Sequence, residues 1–495
     1  MNGVLLPNPH FQFKIKRSGI FVQLTRTITM TSDRREFLQQ SISAIGISAL
    51  GIPAFAQVSG QDNQLAMVIR GAKSFLNGKW QVGDVGVNNS GAIVLGEGPL
   101  QGRNVLECAG KVLSPGFIDI LNDNRKGPFE LCERYKVTDG VTTALSMHGG
   151  ASNVAKYYQN SAKSPHWINY GVSTFATEIK SQGGTLAERL RKVESCLEAG
   201  GLGVSYAIEY SPLPYSELLE YAKLAAKFNR PCCLHLRYSS REKELDGVKE
   251  AIQLAKDSGA HVHIDHLHST GGTYRMRDAL QLIRAGLSSG LSLTCCVYPY
   301  SYWATYPASE RFAPGWQERY GITYSDLTVV GTGEKLTKES FEKYRKRWDV
   351  LVAVPEGAMP MADTVDLALK EDFCMIGSDG GIESEPRGNN HPRGAGCFAT
   401  AMRHGQDIGI PLEKMIEKMT ALPRSILLPA MKQRGVLAPG AAADLVVFDP
   451  QTIRSPASVA NPNQFSAGID TVIVNGKIAY RGGKLLAKAG MAVRG

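Results

Sequence analysis

No CxxC pair occurs among the nine cysteines, Cys108, Cys132, Cys196, Cys232, Cys233, Cys295, Cys296, Cys374 and Cys397, and their number is odd. That argues against a disulfide framework and a cysteine-rich zinc module, and leaves buried free thiols as the expected state. No extended Lys/Arg run and no RNA-binding signature is present, so nucleic acid is not an expected partner. Charge is modest at 20%, but hydrophobic residues reach 43%, which excludes a wholly disordered chain. Gly and Pro, 52 and 24 of 495 residues, suit a fold with many tight loops. The length allows two to four domains, or one large α/β barrel with an appendage.

The charge that is present is unevenly placed. Residues 1–56 hold six Lys/Arg against two Asp/Glu, close to half of the net +9. Arg34-Arg35 and Phe37-Leu38 precede an uncharged stretch, and Ala54-Phe55-Ala56 supplies a small-x-small cleavage site. This resembles a twin-arginine signal over residues 30–56, and predicts export to the periplasm or beyond. The apolar centre is short and diluted by Gly and Ser, which disfavours a stable membrane anchor. Met30 stands at a start-codon distance from the arginines, so residues 1–29 are expected to be a mis-assigned extension.

Short apolar runs broken by turns fill residues 62–113 and return over residues 432–495, predicting a small β-sandwich built from both chain ends. Between them, over residues 114–431, strands alternate with helices such as Tyr215–Lys227 and Leu245–Ser258. That rhythm predicts a TIM-like (β/α)8 barrel, with the site at the strand C-terminal ends. Residues 303–365 interrupt it with aromatics and charge, an expected insertion over the mouth in which Trp303 and Tyr306 are lid candidates.

Ser114-Pro115-Gly116-Phe117-Ile118-Asp119 resembles the opening phrase of the amidohydrolase superfamily. Gly140-Val141-Thr142-Thr143, Ile208-Glu209-Tyr210-Ser211-Pro212, His235-Leu236-Arg237 and Tyr298-Pro299-Tyr300 are similar to its N-acyl-D-amino-acid deacylase (D-aminoacylase) branch. So are Gly377-Ser378-Asp379-Gly380, His391-Pro392-Arg393-Gly394, Met419–Pro423 and Gly440–Leu445, in the same order. The resemblance implies a His-x-His pair where this chain has Leu121 and Asp123, and a bridging Cys where it has Gly149, beside His148. The Lys usual two residues after the later histidine is His268.

The resemblance also implies that His235, His266 and Asp379 share one site at strand ends. A catalytic zinc takes about three protein ligands and keeps an open position. His235 and His266 supply two, and the third is Asp123, His148 or Asp379. With Asp123 as the ligand, Asp379 is free to act as general base; with Asp379 bound, His268 or Asp123 must serve. Loss of the His-x-His pair predicts at most one Zn2+ ion. Arg393, Tyr210 and His268 are candidate substrate contacts, since an Arg fork matches a carboxylate. Period two along His261–His268 places His266 and His268 on one face and His263 and Asp265 on the other.

The expected function is hydrolysis of an amide-like C–N bond, other than a peptide bond, in a small molecule; an N-acyl D-amino acid is the nearest family substrate. A lactonase or cyclic-amide hydrolase on the same fold is one alternative, and a catalytically degenerate small-molecule binding protein another. Oligomeric state is not readable.

Overall fold

The computed structural model describes residues 64–123, 129–355, 359–382 and 390–495. The expected extension 1–29 and signal 30–56 lie outside the described residues. Among those described, no helix is long and apolar enough to cross a membrane.

Eight parallel strands form the central sheet, in chain order Phe117–Asp119, Val141–Ala151, Asn169–Phe175, Val204–Ala207, Cys232–His235, Val262–Ile264, Leu293–Val297 and Cys374–Ile376, each beside the next. They are buried nearly throughout, on both faces, as the strands of a parallel sheet are. Cys232, Leu234, Val262, Ile264 and Cys295 pack outward with helix residues such as Leu218 and Val248. Their alternates Cys233 and Cys296 join Leu121, Met147 and Met375 in a separate core inside the barrel.

The first and last strands meet through a bridge between Asn122 and Gly380. Asp119, fully buried, reinforces the seam: it accepts from Ser378 N at 3.0 Å, Ser378 Oγ at 2.6 Å and Lys136 Nζ at 2.8 Å. The ammonium is buried as well, so each charge is paired and its remaining hydrogen-bonding capacity is largely used.

Surface helices carry their own stop and start signals. Thr185 and Glu188 form a capping box ahead of Leu186–Glu198, and Gly259, at φ +70°, ends Glu244–Ser258 in the left-handed conformation. Strands from residues 65–115 and 445–485 form one nine-stranded sheet, joined where Leu445–Phe448 pairs antiparallel with Val112–Pro115. Met67, Ile69, Val85, Leu113, Leu445 and Ile473 lie in its core. Within the expected insertion, Tyr302–Thr305, Thr328–Val329 and Val352–Pro355 form a three-stranded antiparallel sheet over a core containing Phe312, Trp316 and Phe341.

The sixth barrel strand departs from its sequence reading. It ends at Ile264, and His266 takes φ +28° and ψ 59° before a helical turn, Leu267–Thr270. Period two therefore stops short of His266, and His268 sits on that turn rather than on a strand.

Candidate active site

His148 comes from the second barrel strand, His235 ends the fifth, and His266 follows the sixth. One nitrogen from each ring lies within 4.8 Å of the other two. His235 Nδ1 and His266 Nε2 are 3.1 Å apart. The opposite edge of every ring is held: His148 Nδ1 by Asp265 Oδ2 at 2.8 Å, His235 Nε2 by Glu209 Oε2 at 3.1 Å, and His266 Nδ1 by Ser269 Oγ at 3.2 Å. Outer partners of this kind select the tautomer and aim the free nitrogen of a metal-ligating imidazole.

Burial pushes His235 and His266 well below the ordinary imidazole range, and the neighbouring His148 charge adds to it. Both are thus neutral, the form that ligates. Burial also works against the charge on His148, but the hydrogen bond and charge of Asp265 together outweigh it and raise that ring to about 9. Metal uptake there must displace a proton. Three converging imidazoles, His235 and His266 buried and His148 half-buried, with oriented outer edges fit one ion such as zinc.

The charges of Asp379 and Asp123 add to the raising of His148, and that of Arg393 to the lowering of His266. Like His266, Asp379 has a left-handed backbone, at φ +48°. Non-glycine residues held there store strain that surrounding structure must support, as is common at working sites. Gly380 and Gly394 let the strand-eight loop and the start of helix Arg393–Asp407 approach: a Cβ at Gly380 would lie 2.7 Å from Gly394 backbone. The outcome is an ion pair, Arg393 Nη2 to Asp379 Oδ2 at 2.8 Å, with the guanidinium 4.5 Å over Tyr298. Tyr298 also meets the buried His268 ring edge-on at 4.1 Å. Neither ring nitrogen of His268 has a hydrogen-bond partner among the described residues. Burial, then the His266 and Arg393 charges, lower its pKa well below the usual range.

The amidohydrolase family pattern matches residues 136–479. The chain belongs to the amidohydrolase family. This amidohydrolase is 26% identical over 443 residues to a D-aminoacylase of Alcaligenes xylosoxydans xylosoxydans, covering 79% of this chain and 89% of that one. It is 26% identical over 452 residues to an N-acyl-D-aspartate deacylase of the same organism, covering 81% and 88%. Its fold matches that of an N-acyl-D-glutamate deacylase of Bordetella bronchiseptica, solved with zinc and a phosphonate inhibitor. That match has TM-score 0.73 at 23% identity, over 87% of this chain and 100% of the other. The chain is D-aminoacylase-like.

Within this amidohydrolase, the grouping differs from the expected ligand set. Asp123 is exposed, its N–H bonds to Gly380 O at 3.1 Å, and it is not one of the clustered groups; His148 takes the third position. Leu121 is fully buried in the barrel interior. Asp265, expected on the face opposite His266, instead serves the same site, because the left-handed turn at His266 redirects the chain. Arg393 is already engaged by Asp379.

Tyr210 is 60% exposed, with its ring 4.8 Å from that of His235. Its hydroxyl accepts from Arg311 Nη2 at 2.9 Å. Arg311 also grips Glu209, Nη1 to Oε1 at 3.1 Å and Nη2 to Oε2 at 3.0 Å. Arg311 had no sequence signal beyond its place in the insertion, and Asp265 only its position beside His266.

Proposed function

We propose that this chain hydrolyses the amide bond of an N-acyl amino acid, with a D-amino acid as the first class to test, at a centre holding one metal ion. The observation that carries the reading is the convergence of His148, His235 and His266, each braced from behind. Zinc bound there would supply Lewis acidity toward the scissile carbonyl and its attacking water. Asp379 is the general base: its carboxylate accepts a proton from that water and returns it to the leaving nitrogen. Arg393 orients Asp379 through their ion pair, and its guanidinium, close to His268, is the candidate contact for a substrate carboxylate. Tyr210 and the insertion wall the mouth and limit water. Export through the Arg34-Arg35 signal is part of the proposal, and N-terminal sequencing of the secreted chain, expected to begin near Gln57, tests it.

The test is a panel of N-acyl D- and L-amino acids, cyclic amides and lactones, with protein purified in zinc. Turnover confined to the N-acyl amino acids supports the reading. Turnover of cyclic amides or lactones alone moves the same site to the alternative chemistry. Substrate binding without turnover points to a binding protein.

A further inference from the structure

A line of polar groups runs along the sixth and seventh strands of the barrel. Residues 263 and 265 alternate with the outward-facing Val262 and Ile264, and Thr294 alternates with the outward-facing Leu293 and Cys295. Half-buried His261 places Nδ1 2.8 Å from Ser292 Oγ and Nε2 2.8 Å from Thr294 Oγ1. The same Thr294 Oγ1 lies 2.8 Å from His263 Nδ1. His263 Nε2 faces Asp265 Oδ1 at 3.9 Å, and the other oxygen of Asp265 holds His148. Those two facing atoms, both buried, have no hydrogen-bond partner among the described residues.

Proton counting fixes the direction of this line. Thr294 has one hydroxyl proton for two imidazole nitrogens, so it donates to one ring and accepts from the other. Were His263 protonated at Nδ1, its bare Nε2 would face the carboxylate oxygen, setting two acceptors against each other in a dry interior. The opposite arrangement pairs every other group and turns a donor toward the carboxylate. The Ser292 hydroxyl donates to His261 Nδ1, His261 Nε2–H donates to Thr294, Thr294 donates to His263 Nδ1, and His263 Nε2–H aims at Asp265. Burial lowers His261 to about 3 and His263 to about 4, with the neighbouring His263 also acting on His261, so each ring is neutral and carries one proton, as this pattern needs.

We infer that His263, kept in its Nε2–H tautomer between the Thr294 hydroxyl and the Asp265 carboxylate, is a positioning residue that holds Asp265 and through it orients His148. A shift of about 1 Å brings His263 Nε2 within hydrogen-bond distance of Asp265. Each carboxylate oxygen then accepts one imidazole N–H, which fixes the plane of the carboxylate and the aim of the His148 ring. This role rests on His148 being a ligand, as proposed above; the tautomer itself does not.

The experiment reads the tautomer of His263 by nitrogen NMR of histidine-labelled full-length protein, alongside zinc affinity by chelator competition. The Nε2–H form is expected in wild type. Thr294→Val keeps the Asp265 carboxylate that favours Nε2–H but removes the donor to Nδ1, and should weaken zinc binding about 10-fold, the lower range for loss of an outer partner; Thr294→Ser should restore it. Wild-type His263 in the Nδ1–H form overturns the inference, as does a Thr294→Val protein with wild-type zinc affinity. A wild type with the Nε2–H tautomer but no zinc uptake would overturn the proposed function while leaving the direction of the line intact.

Discussion

His148 Nδ1 lies 2.8 Å from Asp265 Oδ2, a carboxylate with no exposed surface. One bond therefore commits the proton-bearing nitrogen of His148 and turns its other nitrogen toward His235 and His266. The centre is assembled by this contact between the second strand and the end of the sixth, in a chain with Leu121 and Asp123 after its first barrel strand.

Ligand substitutions separate His148 from Asp123. His148→Ala should lose zinc on dialysis together with activity, whereas Asp123→Ala should keep its zinc affinity within a few-fold. Asp265→Asn should weaken zinc binding by about 10–100-fold. Chelator competition on the three variants checks this; a large loss confined to Asp123→Ala would return the third position to that carboxylate.

Asp379→Asn should retain zinc and lose about 10²–10⁴-fold in kcat, because an amide cannot accept the proton of the attacking water. Metal content and steady-state kinetics on one preparation make the comparison. Loss of metal in this variant would make Asp379 a ligand instead.

Arg311 ties the insertion to the barrel through Glu209 and Tyr210. Arg311→Met leaves Glu209, the partner of His235, without its guanidinium, and should lower kcat/KM by about 10–100-fold and weaken zinc binding. Arg311→Lys keeps the charge but not the two-pronged grip, and should fall between wild type and Arg311→Met. An Arg311→Met enzyme with wild-type kinetics would remove the insertion from the working site.

The arrangement of the barrel was legible because turn residues punctuate its apolar strands and helices: Tyr215–Lys227 is the same helix in sequence and structure. His235, His266 and Asp379 were legible from their motifs. The pairing of His148 with Asp265 was not, because it depends on a left-handed backbone at His266 that period-two reasoning excludes. Arg311 escaped for another reason. Its meaning comes from residues about a hundred positions away, and the apolar pattern of the insertion gives no indication of which of its side chains return to the barrel.

Stability should fall as pH rises from about 4 to about 7. Asp139 accepts Phe398 N–H at 2.7 Å, Ala399 N–H at 3.0 Å and the Ser466 hydroxyl at 2.6 Å, yet burial outweighs these donors and raises it to about 7. Burial raises Glu244 to about 7 as well. An unfolded carboxyl ionises near pH ~4, so between the two values the folded state holds protons that the unfolded state has released. The stabilisation is complete below the lower value and gone above the higher. Urea unfolding across this range should show the slope, and Asp139→Asn should flatten part of it; an unchanged slope would place the proton elsewhere.

The central claim is a single metal ion held by three histidines. Elemental analysis of purified wild-type protein, dialysed after loading with zinc, counts the ions directly. One zinc per chain, falling to near zero in His148→Ala, is the predicted result. Two tightly held ions per chain, or one ion that survives His148→Ala, would contradict it.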